Sequence, residues 1–249
     1  MSSERVLILG AASAIAERTA RLFAAAGAHF FLVARDPAKL EALRLDLAAR
    51  GAGAVHVRAQ DLAEIRAHGE LLDQARAALG EIDIALLAYG VFSDQQRAER
   101  DFDEVLRVLH VNFISAASLL EVLARYFEQR GQGCIAAISS VAGDRGRQSH
   151  YIYGASKAGL DAYLQGLRNR LYLRHKRIHV LTIKPGLVAT PMTRDRPKNF
   201  LFASPERVAS DIETAIRRRQ EVLYTPWFWR PIMATLRAIP EGLFKRLRL

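Results

Sequence analysis

Residues 6–34 read VLILGAASAIAERTARLFAAAGAHFFLVA. The run 6–9 is short and fully apolar, the pattern of a strand buried on both faces. Gly10-Ala11-Ala12-Ser13-Ala14-Ile15-Ala16 follows as a turn of small residues, and a helical pattern then continues through Ala26 until Gly27 closes it. Residues 29–34 form a second apolar run. Strand, small-residue turn, helix and strand in that order open a parallel sheet able to bind a dinucleotide. The free N–H groups of the turn and the helix N-terminus can receive a pyrophosphate. Gly10, Ser13, Ala14 and Ile15 are therefore candidate cofactor contacts. Of the usual three glycines only Gly10 is present, with Ala14 and Ala16 in the later places.

The alternation continues outward. Helical patterns at 37–50 and 64–79 alternate with apolar runs at 54–58, 82–88, 134–138, 178–183 and 222–225. This order predicts an α/β fold: a Rossmann-type doubly wound parallel sheet of about seven strands with helices on both faces. Residues 1–225 are read as one domain and 226–249 as a basic amphipathic tail, packed on the domain or lying at a membrane surface. A chain of 249 residues suits a single domain of this class. Cys134 is the single cysteine, which excludes an intrachain disulfide, and it is read as a core residue. The run 6–9 is too early and too short for a leader, and no span of about 20 uninterrupted apolar residues predicts a membrane crossing. A net charge of +10 asks for an anionic partner. The basic residues are spread along the chain without an aromatic-studded recognition motif, so nucleic acid is not expected.

Chemistry concentrates at 139–159, SSVAGDRGRQSHYIYGASKAG. Tyr153 and Lys157 are four residues apart, which stacks them on one helical face. A free phenol has a pKa of about 10. A nearby ammonium favours the tyrosinate and lowers that value, so the phenol can pass a proton to a developing alkoxide. Ser140 follows the apolar run 134–138, placing its hydroxyl at a strand's carboxyl end, where open α/β sheets build their sites. No metal site is expected.

These features resemble the short-chain dehydrogenase/reductase family over about residues 4–225. The resemblance implies four catalytic positions. Tyr153 is the proton donor, and Ser140 bonds the carbonyl oxygen. Lys157 tunes the tyrosine and bonds the nicotinamide ribose, while Asn112 bends its helix and holds a relay water. It also implies cofactor contacts at Asp61 and Leu62, at Ala88 and Gly90, and at Pro185, Gly186, Val188 and Thr190. The string Leu87-Ala88-Tyr89-Gly90 stands where the family commonly has Asn-Asn-Ala-Gly. The second strand ends in Ala34-Arg35, without a carboxylate for a ribose 2′-hydroxyl. A guanidinium there can clamp a 2′-phosphate, so NADPH is expected over NADH. Residues 191–203 are read as a substrate lid. A homo-oligomer, dimer or tetramer, is expected through helices at about 101–130 and 150–175.

A narrower resemblance is carried by 153–161, by the loop 139–145 and by the tail. It is to the decaprenylphosphoryl-2-keto-ribose reductases, the reductase half of a 2′-epimerase that yields polyprenyl-phosphoryl arabinose. It implies a flavin-dependent oxidase partner and a cytoplasmic site, peripheral on the inner face of the membrane. The tail opens Trp227-Phe228-Trp229-Arg230 and carries Ile232, Met233, Leu236, Ile239, Leu243, Phe244 and Leu247 at three- and four-residue spacing. Arg237, Lys245, Arg246 and Arg248 lie between them, which suits an anionic membrane, although a neighbouring subunit could cover the same stripe. Pro231 and Pro240 are expected to break the tail into short pieces. Arg145, Arg147, Arg194 and Arg196 are expected at the mouth of the pocket, facing a phosphodiester. Two alternatives are a generic keto-reductase for an apolar acyl or alicyclic ketone, and a non-catalytic dinucleotide-binding adaptor at a membrane or protein.

Overall fold

Alternate side chains of the central strands leave on opposite faces, and both faces are apolar. In β1 (Arg5–Leu9), Val6 and Ile8 join one buried cluster and Leu7 and Leu9 another. The strand therefore needs cover on both sides, which only a parallel sheet with helices above and below provides. The computed structural model describes residues 3–92, 94–194 and 197–247 and has this architecture. Arg196 and Arg248, two of the expected cations, lie outside the described residues.

The other strands of the main sheet are β2 (His29–Ala34), β3 (Val55–Ala59), β4 (Ile84–Leu87), β5 (Gly133–Ile138), β6 (Ile178–Pro185) and β9 (Val222–Thr225). Their order is β3-β2-β1-β4-β5-β6-β9, parallel throughout. One face is covered by α1 (Ala14–Ala25), α2 (Pro37–Ala49) and α8 (Pro205–Arg217). The other carries α3 (His68–Leu79), α6 (Ser115–Arg130) and α7 (Tyr151–Arg174). Between β6 and α8, β7 (Leu187–Val188) and β8 (Phe202–Ala203) form a small separate pair.

Helix starts are set by local chemistry. Ser13, Asp36 and Ser204 each accept a backbone N–H from the first turn of α1, α2 and α8, and proline opens the last two. Such caps stabilise a helix by about 1 kcal/mol each. The long helix expected at about 101–130 is present, with a π turn where Asn112 stands. α5 (Phe102–Leu109) runs through a π turn at His110–Ile114 into α6. By length and composition the run Phe102–Arg130 could cross a bilayer. Leu119, Leu120, Leu123 and Phe127 are nevertheless buried against the sheet, so it is a core helix.

The tail forms α9 (Trp229–Ala238) and the short α10 (Glu241–Phe244), turning between them at Pro240. Pro231 does not interrupt α9, because it lies in the first turn, where its missing N–H would have no partner in any case. Trp229, Met233 and Phe244 are buried, and the first two pack with Val141, Leu187 and Tyr224 of the main body.

Candidate active site

The strand order turns at β1 and β4: β1 is followed towards β2 and β4 towards β5, so their carboxyl ends open a crevice. Gly10 stands there with φ +91°, and a Cβ on it would come within 2.7 Å of Tyr89 Cβ and 2.8 Å of the Tyr89 nitrogen. Only glycine lets the two strand ends approach this closely. The N-terminus of α1, with Ser13 at its cap, opens immediately beyond Gly10. This cradle fits a dinucleotide pyrophosphate without further groups.

The loops beside it are fixed from behind. Leu62 O accepts from Ser115 Oγ (2.5 Å) and sits 2.9 Å from His68 Nε2, while His110 Nε2 is 2.8 Å from Ala63 O. Tyr89 bonds Ser115 Oγ at 2.8 Å, and burial raises its pKa. Its side chain thus braces the Asp61-Leu62 turn. Ser115, His68 and His110 carry no sequence signal for this role, because their partners are remote in the chain.

Arg35 is exposed at the end of β2. The next residue, Asp36, commits Oδ1 to the N–H groups of Ala38 and Lys39, so this carboxylate is held as a helix cap. Across the crevice, Pro185 ends β6. The turn after it is held by Thr190 N–H donating to Thr193 Oγ1 (3.2 Å), whose hydroxyl bonds Val188 O (2.5 Å).

Ser140 is the N-cap of a tight turn at Val141–Gly143, and its Oγ accepts from Ala142 N–H. The turn lies directly on α7. A Cβ on Gly143 would stand 2.7 Å from Asp161 Oδ2, 2.8 Å from the Lys157 carbonyl carbon and 2.9 Å from Ala158 N. Ser139 Oγ reaches Lys157 O at 3.3 Å. Lys157 is buried, donates to Ile138 O (3.0 Å) and has Nζ 5.9 Å from the centroid of the Tyr153 ring. Burial lowers its pKa to about 8, against an opposing pull from Asp161. The Tyr153 ring packs on Phe92 with centroids 4.8 Å apart. Asn112, in the π turn, clamps Val91 through both its N–H (2.8 Å) and its C=O (2.9 Å), and Nδ2 reaches Ser156 Oγ at 3.1 Å. A Cβ built on Gly90 would lie 3.1 Å from Asn112 Oδ1 and 3.5 Å from Lys157 Nζ, so these two groups converge on that loop.

Behind the Ser140 turn is a buried ionic cluster that sequence spacing could not reveal. Lys184 Nζ bonds Asp144 Oδ1 and lies 2.8 Å from Asp161 Oδ2, while Tyr224 OH donates to Asp144 Oδ2 at 2.9 Å. Burial works against the ammonium, but the two carboxylates outweigh it and raise its pKa. One expectation needs correction here. Arg145 is not at the mouth: its guanidinium is held by tail carbonyls and by Glu241. Cys134 has His179 Nδ1 at 3.4 Å from Sγ. Burial pushes that thiol up to about 12, which leaves it a core residue.

A dinucleotide cradle beside a buried lysine, a tyrosine and a serine at a strand end defines an oxidoreductase of nicotinamide cofactors. The short chain dehydrogenase family profile matches residues 4–200, and the chain belongs to that family. An uncharacterized oxidoreductase of Mycobacterium tuberculosis is 37% identical over 242 residues, covering 97% of this chain and 96% of its own length. Another from Streptomyces coelicolor is 36% identical over 243 residues, covering 97% and 95%. A crystal structure of an actinorhodin polyketide ketoreductase variant with NADPH has the same fold: TM-score 0.80 at 23% identity, over 90% of this chain and 95% of that one.

Proposed function

We propose that the chain reduces a ketone with NADPH, and that the ketone is carried on an apolar or lipid-linked molecule, of which a polyprenyl-phosphoryl 2-keto-ribose is the particular case. The observation that carries the chemistry is the buried Lys157, close behind Tyr153 and packed on the Ser140 turn. When bound, the nicotinamide supplies hydride to the carbonyl carbon. Tyr153 gives its phenolic proton to the oxygen as it becomes an alkoxide, and the Ser140 hydroxyl donates a hydrogen bond to the same oxygen. The Lys157 ammonium favours the tyrosinate left behind. Asn112 holds the 90–91 loop and positions the water through which Tyr153 regains a proton.

The pH dependence follows from the lysine. Lys157, held at about 8 by burial, is charged below that pH and neutral above it. We expect kcat/KM for reduction to fall as pH rises through about 8. Asp161→Asn removes a carboxylate that favours the ammonium, so the fall should move to lower pH, as a pH–rate profile of each enzyme would report.

NADPH preference rests on Arg35, which offers a guanidinium at the end of β2 while Asp36 is turned to its helix. Arg35→Leu should raise KM for NADPH by about tenfold to a hundredfold, the usual worth of a bond to a charged group, and leave KM for NADH little changed. Steady-state kinetics with both cofactors decides it.

The substrate class draws on exposed side chains of the segment between β7 and β8 and of the tail. Phe200 (88% exposed), Met192 (49%) and Trp227 (71%) are large apolar residues left in solvent, beside the exposed cations Arg194, Lys198 and Arg230. Aromatic and basic groups together suit the surface of an anionic bilayer, where a lipid-linked substrate resides. Sedimentation with vesicles of anionic lipid, against vesicles of neutral lipid, tests this: we expect binding to the first only, weakened by Trp227→Ser. A flavin-dependent oxidase that supplies the ketone belongs to the same proposal. A homo-oligomer does too, on the exposed Ile114, Tyr172 and Leu173 of the α6–α7 side.

A further inference from the structure

The segment after β9 touches both loops that frame the site, and one side chain fastens it. Arg145 follows the Ser140 turn directly. Its Nη1 donates to the carbonyl oxygens of Leu236 (2.9 Å), Arg237 (2.9 Å) and Ile239 (2.6 Å), and Nη2 donates to Glu241 Oε2 (2.9 Å). The guanidinium lies over the Phe244 ring, 3.9 Å from its centroid. The last carbonyls of a helix have no partner within it, and a cation there also meets the negative end of the helix dipole. Arg145 therefore closes the C-terminus of α9 and fixes the turn into α10.

α9 in turn reaches the other side of the crevice. Trp229 is buried with Met233 against Val141 of the Ser140 turn and against Leu187. Its indole lies on Gly186, where an added Cβ would fall 1.9 Å from Nε1. Gly186 belongs to the turn after β6, which the family resemblance assigns to cofactor contact. A single rigid element thus contacts the serine turn on one side and the Gly186 turn on the other.

We infer that the tail is a brace between these two loops, and that Arg145 is the positioning residue that latches it. With the latch made, Ser140 and the Gly186 turn keep a fixed separation across the reacting centre. With it open, each loop loses its shared support while the sheet beneath keeps its own.

The latch can be tested without any substrate, so the outcome does not depend on which ketone is reduced. Both tryptophans of the chain, Trp227 and Trp229, are in the tail. Tryptophan emission, excited selectively over the seven tyrosines, therefore comes from the tail, and Trp229 is the buried one of the pair. Arg145→Met is compared with wild type by acrylamide quenching and by hydrogen–deuterium exchange resolved to peptides. We expect quenching to rise as Trp229 becomes accessible. Exchange at residues 139–144 and 185–190 should rise on the order of tenfold, while β1 and β4 keep wild-type protection, because local opening differs from global unfolding. Arg145→Lys, which retains a cation for the α9 carbonyls, should recover part of both signals. Phe244→Ala provides a second opening of the latch if the methionine variant does not fold, with the same expected pattern. Increased quenching with unchanged exchange at the two loops would overturn the brace. So would unchanged quenching, or a rise in exchange spread evenly over the whole sheet.

Discussion

Tyr153→Phe is expected to lower kcat by about 10²–10⁴-fold, the usual contribution of a positioned proton donor. Phenylalanine keeps the ring that packs on Phe92, so the loop at 90–92 and the cradle at Gly10 should hold their places. Cofactor affinity should accordingly remain near that of wild type, measured by NADPH fluorescence titration. The loss should appear in kcat and kcat/KM alike, the signature of an interaction made in the transition state. Normal turnover in this variant would remove Tyr153 from the chemistry.

The second large effect is on stability. Lys184→Met removes the cation that bridges Asp144 and Asp161, whose side chains are 2% and 15% exposed. Breaking a buried ion pair from one side leaves an uncompensated charge and costs about 3–5 kcal/mol. For a chain of this size each kcal/mol lowers Tm by roughly 2–4 °C, so calorimetry or a urea titration will resolve it. Adding Asp161→Asn should return part of the loss, because one of the two stranded carboxylates is gone. The cluster also anchors the end of the Ser140 turn through Asp144, so kcat of the folded variant should fall as well. A destabilisation under about 1 kcal/mol, the scale of an exposed pair, would mean that the cluster is solvated.

Much of this was legible in the chain because it is local. Apolar runs and helical periods lie within one element, and they placed all seven strands of the sheet with shifts of a residue or two at the ends. Caps are local too: Ser13, Asp36 and Ser204 each bond within the first turn of their own helix. Tyr153 and Lys157 were readable because helical spacing alone puts them on one face. The pieces that escaped are those whose partners are far away. Arg145 was expected at the mouth of the pocket, but its partners lie 91 to 96 residues later. Lys184 joins Asp144 and Asp161 from separate elements. Tyr89, standing where the family commonly has alanine, gains a role only once Ser115 is beside it. The π turn at His110–Ile114 lies where the resemblance had Asn112 bend its helix, but Val91, which Asn112 clamps, is 21 residues away in the chain.

Trp229 shows the same limit from the opposite side. It was read as one of the aromatics opening a tail able to meet lipid, whereas in the fold it lies on Gly186 and Val141. A stripe specifies that a face will be covered and is silent on what covers it. Trp227, two residues earlier, remains in solvent.

The most direct test is oxidation of NADPH and NADH with a short-prenyl phosphoryl-2-keto-ribose as acceptor, product stereochemistry being read alongside and Tyr153→Phe run beside wild type. NADPH-selective, Tyr153-dependent formation of the arabinose product is the result expected. Oxidation with simple apolar ketones but none with this acceptor would contradict the lipid-linked sugar, and cofactor binding without turnover of any ketone would contradict the reductase itself.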